Sequence, residues 1–185
     1  MLNFQYAYVT DVSCHGANDG SIFASAIGGT GNLTYSLDGV NYSATGMFSG
    51  LKGDNYSLSV KDDAGCSHSV SILVNEPAAL KLTAKSVQVA CHGGSDGSIN
   101  AIVTGGTPPY EYRWTNQSKT EDIYNLKAGI YTLYVQDENG CITSGSYSIV
   151  QPSAALAIAG DVKDASSLSS KDGSVQITIS GGTAP

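Results

Sequence analysis

Tyr56, Leu58 and Val60 alternate with Ser57 and Ser59, and Tyr131, Leu133 and Val135 repeat that alternation around Thr132 and Tyr134. A period of two gathers the apolar set on one face and leaves the other wet, the mark of a half-buried β-strand. Asp63-Ala64-Gly65 and Glu138-Asn139-Gly140 then turn the chain, with Gly supplying a positive φ. Elsewhere short apolar stretches are divided by clusters of Gly, Asn, Asp and Ser. They predict strands over 4–12, 21–27, 33–37, 47–51, 55–61 and 66–74, then over 80–83, 86–90, 98–104, 110–115, 122–126, 129–136 and 141–150. No window sustains a helical period with caps. Tyr56 and Tyr131, each opening its strand, suit a corner role in which the hydroxyl bonds upstream backbone.

The pattern is written twice and begun a third time. CHGANDGSI at 14–22 returns as CHGGSDGSI at 91–99, and LKGDNYSLSVKDDAGC at 51–66 returns as LKAGIYTLYVQDENGC at 126–141. Asp-Gly recurs at Asp19, Asp96 and Asp172, and Gly-Gly-Thr at Gly28, Gly105 and Gly181, in steps of 77 and 76 residues. That period exceeds the roughly 20–50 residues of a solenoid coil and suits small serial domains. The expected division is a first repeat over 1–77, a second over 78–152 and a truncated start of a third over 153–185. Six or seven strands per unit predict an all-β chain of tandem immunoglobulin-like antiparallel β-sandwich repeats arranged end to end. Glu76-Pro77 and Gln151-Pro152 close the repeats, so the joints are expected to be short and stiff. Gly-Gly-Thr reads as a tight inter-strand turn, because a phosphate loop needs Lys and a following helix. The sequence leaves the isomer of Pro108-Pro109 open.

Composition narrows the function. Hydrophobic residues make up 41% of the chain, charged residues 14%, and there are 22 glycines, which suits a folded protein more than a disordered linker. A net charge of −7 without a basic run argues against nucleic-acid binding. No apolar stretch approaches 18 residues, so no membrane-spanning helix is expected in this segment. The start MLNFQYAYVT lacks the marks of a signal peptide, and the end at Gly181-Gly182-Thr183-Ala184-Pro185 falls where the earlier repeats enter a strand, so the chain reads as an excerpt.

Four cysteines form two equivalent pairs, Cys14 with Cys66 and Cys91 with Cys141, and the third copy has Ser167 instead. Bridges within repeats are the leading expectation, each contributing about 2–4 kcal/mol to a small domain. In an immunoglobulin-like strand order, however, Cys14 and Cys66 fall near opposite poles, so a Cys14–Cys141 bridge between repeats is the alternative and free thiols a third. Cys14-His15 and Cys91-His92 have poor spacing for zinc. Asp19, Asp62, Asp63, Asp96, Asp137 and Glu138 offer oxygens in turns; they read as turn formers, with calcium as the alternative, though none fits an EF-hand loop. No cofactor is otherwise expected. His15, His68 and His92 have no nucleophile–base pattern around them, so an enzyme is not expected. Trp114 aligns with Leu37 and reads as a core plug, or else as a sugar-stacking ring beside exposed Tyr42 and Tyr134.

Cys-His-Gly-x-x-Asp-Gly-Ser-Ile, Gly-Gly-Thr-Pro-Pro-Tyr-x-Tyr-x-Trp, Ala-Gly-x-Tyr-x-Leu-x-Val-x-Asp-x-x-Gly-Cys and a closing Gln-Pro together resemble the SprB repeat of very large surface adhesins in gliding Bacteroidetes. The second copy is the closer match; the first has Gly31-Asn32-Leu33 in place of Pro-Pro-Tyr, and Leu37 in place of Trp. The resemblance implies an extracellular filament at the bacterial cell surface, exported by type IX secretion and serving gliding motility or attachment. It implies as partners a surface polysaccharide or solid substratum, neighbouring repeats of the chain, and other filament chains. It supplies no catalytic residues. The alternative function is a carbohydrate-binding β-sandwich module of a secreted multidomain protein, and an exposed aromatic row would favour it.

Overall fold

The computed structural model describes residues 1–183; Ala184 and Pro185, the close of the expected third start, lie outside the described residues. The described chain contains no helix. Its strands are β1 (Asn3–Thr10), β2 (Gly20–Ile27), β3 (Leu33–Ser36), β4 (Met47–Leu51), β5 (Asp54–Asp62) and β6 (Ser67–Val74). There follow β7 (Lys81–Val87), β8 (Gly97–Thr104), β9 (Tyr110–Trp114), β10 (Ile123–Leu126), β11 (Gly129–Asp137) and β12 (Ile142–Ile149). A final pair, β13 (Ala157–Lys163) and β14 (Ser174–Ser180), forms an antiparallel two-stranded sheet. The expected strands over 80–83 and 86–90 are the single strand β7, because Leu82 and Ala84 carry the alternation across a stretch without Gly or Pro.

Two compact units divide the chain. The first holds Met1–Lys81 together with Val103–Glu111 and Val135–Thr143; the second holds Leu82–Ile102, Tyr112–Tyr134 and the chain from Ser144 onward. Sheets ordered β1-β2-β4 and β3-β5-β6 build the first repeat, every pairing antiparallel. Ile22 and Ala24 of β2 meet Leu58 of β5, Val74 of β6 and Val12 in one core, with Tyr35 and Val60 beside Leu2 and Ala26 in another. The alternation along β5 thus buries Leu58 and Val60 as expected. The second repeat repeats the strand order, as β10-β8-β7 and β12-β11-β9.

Two recurring motifs have steric reasons. A Cβ on Gly20 would lie 2.9 Å from the Leu51 carbonyl oxygen and 2.9 Å from Val74; on Gly97 it would lie 2.9 Å from the Leu126 carbonyl oxygen and from Ile149. The glycine of Asp-Gly therefore admits close approach of a neighbouring strand, where any side chain would collide. In Gly-Gly-Thr both glycines have positive φ, at 84° and 75° for Gly28 and Gly29, and 73° and 63° for Gly105 and Gly106, which confirms a tight turn. The Pro108-Pro109 bond is cis. The tyrosine corner is present as expected: Tyr56 Oη donates to the Lys52 carbonyl at 3.2 Å, and Tyr131 Oη to that of Lys127 at 3.0 Å.

Strand direction fixes where the cysteines fall. Val12 N donates to the Asn75 carbonyl at 3.0 Å, so the chain leaving β1 meets the end of β6. Cys14 therefore lies at the pole where β6 finishes. Cys66 immediately precedes Ser67, where β6 starts. Eight residues of extended strand separate those poles by about 26 Å, far beyond the roughly 4.4–6.8 Å between Cα atoms that a disulfide spans.

Candidate functional site

The turn before each late cysteine is built around a buried aspartate. Asp62 Oδ2 accepts the Thr30 amide and its Oδ1 the Cys66 amide, both at 2.8 Å. Asp137 does the same for Thr107 and Cys141, both at 2.9 Å. Each carboxylate thus ties the Gly-Gly-Thr turn to the Asp-x-x-Gly-Cys hairpin, some 30 residues away, and fixes the direction of the cysteine. A Cβ on Gly29 would lie 3.0 Å from Asp62 Oδ2, and one on Gly106 2.7 Å from Asp137 Oδ2. Bare backbone is what lets the carboxylate reach the next amide.

The early cysteines sit on a second kind of turn. Asp19 accepts the Ser13 hydroxyl and the Ser13 amide, and these bonds, the hydroxyl foremost, lower its pKa below the ordinary carboxylate value. Asp96 plays the same part for the Ala90 amide at 3.2 Å, and Asp172 for Ser166 at 3.0 Å. Glu76 holds the Gly16 amide and faces the His15 ring at 3.6 Å, while Gln151 holds the Gly93 amide at 2.9 Å. The closing Glu-Pro and Gln-Pro pairs are thereby anchored to the Cys-His-Gly turns.

The two kinds of turn meet in the first unit. Cys14 is bonded to Cys141, with 5.7 Å between Cα atoms and a sequence separation of 127. The Asn139 side-chain amide donates to the Ser13 carbonyl at 3.0 Å and to Thr107 Oγ1 at 3.1 Å. Beside the bridge lies a cleft of about 240 Å³, lined in part by Asn75, Glu76, Pro77, Thr107 and Asn139. The leading expectation for the cysteines is thus corrected: neither Cys14–Cys66 nor Cys91–Cys141 is formed, since the poles of a repeat are too far apart, and Cys66 and Cys91 are exposed free thiols. With Cys14 in the bridge, Cys14-His15 has no thiolate to offer zinc. Among the described residues no three His, Cys, Asp or Glu side chains gather as a metal cluster; Asp62 and Asp137 direct both oxygens to backbone amides.

The three expected sugar-stacking residues differ in exposure. Trp114 is 2% exposed, its Nε1 donates to the Thr120 carbonyl at 2.9 Å, and its ring tilts against Tyr147 at 6.3 Å. It is a core side chain, and as a glycan contact it is withdrawn: the indole face is covered. Tyr42 and Tyr134 are exposed, and the Arg113 guanidinium lies over the Tyr134 ring at 5.4 Å.

An aromatic cluster that the sequence reading passed over lies on β1 and β2. Tyr6 stacks near Tyr8 at 5.1 Å and near Phe23 at 5.6 Å; Tyr8 is 65% exposed and Phe23 44%. Met47 pairs with Phe23 in the β2–β4 register and is also exposed. Phe4, Tyr6 and Tyr8 look like one strand face. A bulge between Phe4 and Tyr6 turns Phe4 inward and sends the two tyrosines outward. The available signal was Phe23, which falls opposite Tyr8.

The family model for the SprB repeat matches residues 7–41 and 83–118. Two segments of this chain match the SprB repeat. Each match contains a Cys-His-Gly turn and runs on past the Gly-Gly turn, so Cys14 and Cys91 lie inside the matched segments while Cys66 and Cys141 lie outside. The matches point to a cell-surface adhesin-type repeat and, with it, to an extracellular location. Among curated proteins no match is found.

Proposed function

We propose that this chain is a structural and adhesive segment of a large bacterial cell-surface adhesin filament, serving gliding motility or surface attachment. In this reading each repeat is an immunoglobulin-like sandwich, the repeats follow end to end, and the filament is exported by type IX secretion. The chain bears load and presents surface to a polysaccharide or solid substratum; it catalyses nothing. The observation that carries the reading is the Cys14–Cys141 bridge, which ties the Cys-His-Gly turn inside the first SprB match to a hairpin that follows the second match in sequence. A solitary binding module has no need of such a tie, whereas a stalk under tension does. The tyrosine corners and the opposite placement of Cys14 and Cys66 on the first repeat support the sandwich and its serial use.

Stretching single molecules tests the load-bearing role. With the bridge intact, the 127-residue interval between its ends stays closed; after reduction the same pull should release about 420–460 Å more chain. Extension at forces no greater than those of an unstructured polypeptide would overturn the reading. Its location is tested separately: antibodies to the chain should label intact cells, and labelling only after permeabilisation would count against it.

The Tyr6–Tyr8–Phe23 cluster favours a second reading, a carbohydrate-binding module that stacks sugars on that face. A glycan array on wild-type protein and Tyr8→Ala decides it. Binding lost in the variant supports the module; no glycan retained by either protein removes it.

A further inference from the structure

Cys66 and Cys91 are exposed and unbonded, yet each stands in the frame of a bonded partner. Cys66 has the setting of Cys141: its amide is held by Asp62 Oδ1 at 2.8 Å as that of Cys141 is by Asp137 at 2.9 Å, and the preceding Gly65 and Gly140 have φ of 84° and 83°. Its carbonyl accepts the Asp62 amide at 3.0 Å, and that of Cys141 accepts the Asp137 amide at 3.0 Å. Cys91 has the setting of Cys14: its carbonyl accepts the Gly94 amide at 2.9 Å, as that of Cys14 accepts Ala17 at 3.0 Å, and the following Gly93 and Gly16 both have φ of 77°. In the Cys14–Cys141 bridge, one turn of each kind is already joined.

We infer that Cys91 and Cys66 are the open halves of a second bridge of this kind, and that Cys91 of one copy of the chain bonds Cys66 of another. The pairing is heterologous, a turn of one kind against a turn of the other, so each added copy presents a fresh pair and growth does not terminate. Each junction forms by exchange with a low-molecular-weight disulfide such as oxidised glutathione. One thiolate attacks it to give a mixed disulfide and a released thiol; the second thiolate then displaces the other glutathione. Two S–H bonds are lost, one S–S bond forms, and the oxidant takes up two electrons and two protons. Ala64 stands where Asn139 supplies its amide to the Ser13 carbonyl, so the second junction lacks that hydrogen bond and depends more on the covalent link. Ser167 occupies the equivalent position in the third copy and cannot take part.

The inference depends on the Cys14–Cys141 bridge alone and stands apart from the adhesin reading. Concentrated protein is incubated in a glutathione redox buffer and run on a non-reducing gel, and its disulfides are mapped. Wild type should give a ladder whose new cross-link is Cys66–Cys91, with Cys14–Cys141 retained. Cys66→Ser and Cys91→Ser, each alone, should stay monomeric, and an equal mixture of the two should stop at dimers. Dimers formed by either variant alone, a mapped Cys66–Cys66 or Cys91–Cys91 link, or wild-type monomer with both thiols capped by glutathione would overturn it.

Discussion

Asp62 and Asp137 show how much one side chain can settle. Each is buried, with both oxygens engaged, holding two amides that belong to turns far apart in sequence. Asp137→Ala should orphan the Thr107 and Cys141 amides at about 1–3 kcal/mol each, seen as a lower midpoint in urea. A loss within about 0.5 kcal/mol, the range of an ordinary surface change, would mean water substitutes for the carboxylate. The exposed aspartates act through pH. Asp19 is lowered chiefly by the Ser13 hydroxyl and Asp11 by the Asn75 amide, so their folded values lie below the unfolded 3.8. Stability from both is complete above that value and lost as pH falls through the folded values. Melting temperature should therefore owe them no change from about pH 5 to 7 and decline below about pH 4, with a shallower decline in Asp11→Asn. The sequence marked these aspartates as turn residues, and the turns are there. The reach of Asp62 back to Thr30 was not legible, because it depends on two hairpins packing together and leaves no local trace.

Among the elements, β5 and β11 were the most legible. Their alternation named the buried face, and their first tyrosines named the corner. Tyr131→Phe should cost about 0.5–1.5 kcal/mol, the net value of one hydrogen bond, by chemical denaturation. Tyr56→Phe should cost at least as much, since its hydroxyl also accepts the Lys52 amide at 3.1 Å. An unchanged midpoint in both would remove the corner from the stability of the repeat. β1 was the least legible strand. Its bulge adds one residue against β2, and a one-residue slip moves every following side chain to the other face. No residue type in Asn3–Thr10 announces that slip, so the exposed aromatic face leaves no signal in the strand's own sequence. Trp114 was readable for the opposite reason: its partner in the first repeat is Leu37, and a position that accepts either group is an interior one.

At the scale of the molecule, the repeat was plain in the sequence, and the strand order already offered the Cys14–Cys141 bridge as the alternative to bridges within repeats. Cysteine spacing fits either pairing; only the direction of β6 separates Cys14 from Cys66. Cys14→Ser should lower stability by about 2–4 kcal/mol through the added freedom of the unfolded chain, and reductant should do the same to wild type but nothing further to the variant. Equal midpoints with and without reductant would show that the bridge adds no stability.

That bridge also makes the backbone from Cys14 to Cys141 a closed ring. A linear chain cut once becomes two pieces; a ring cut once stays one. Residues 38–46, which include the exposed Val40 and Tyr42, offer the kind of loop that extracellular proteases nick. Limited digestion there should leave a single band until reductant is added, so that one cleavage inside the ring would scar the chain without severing it.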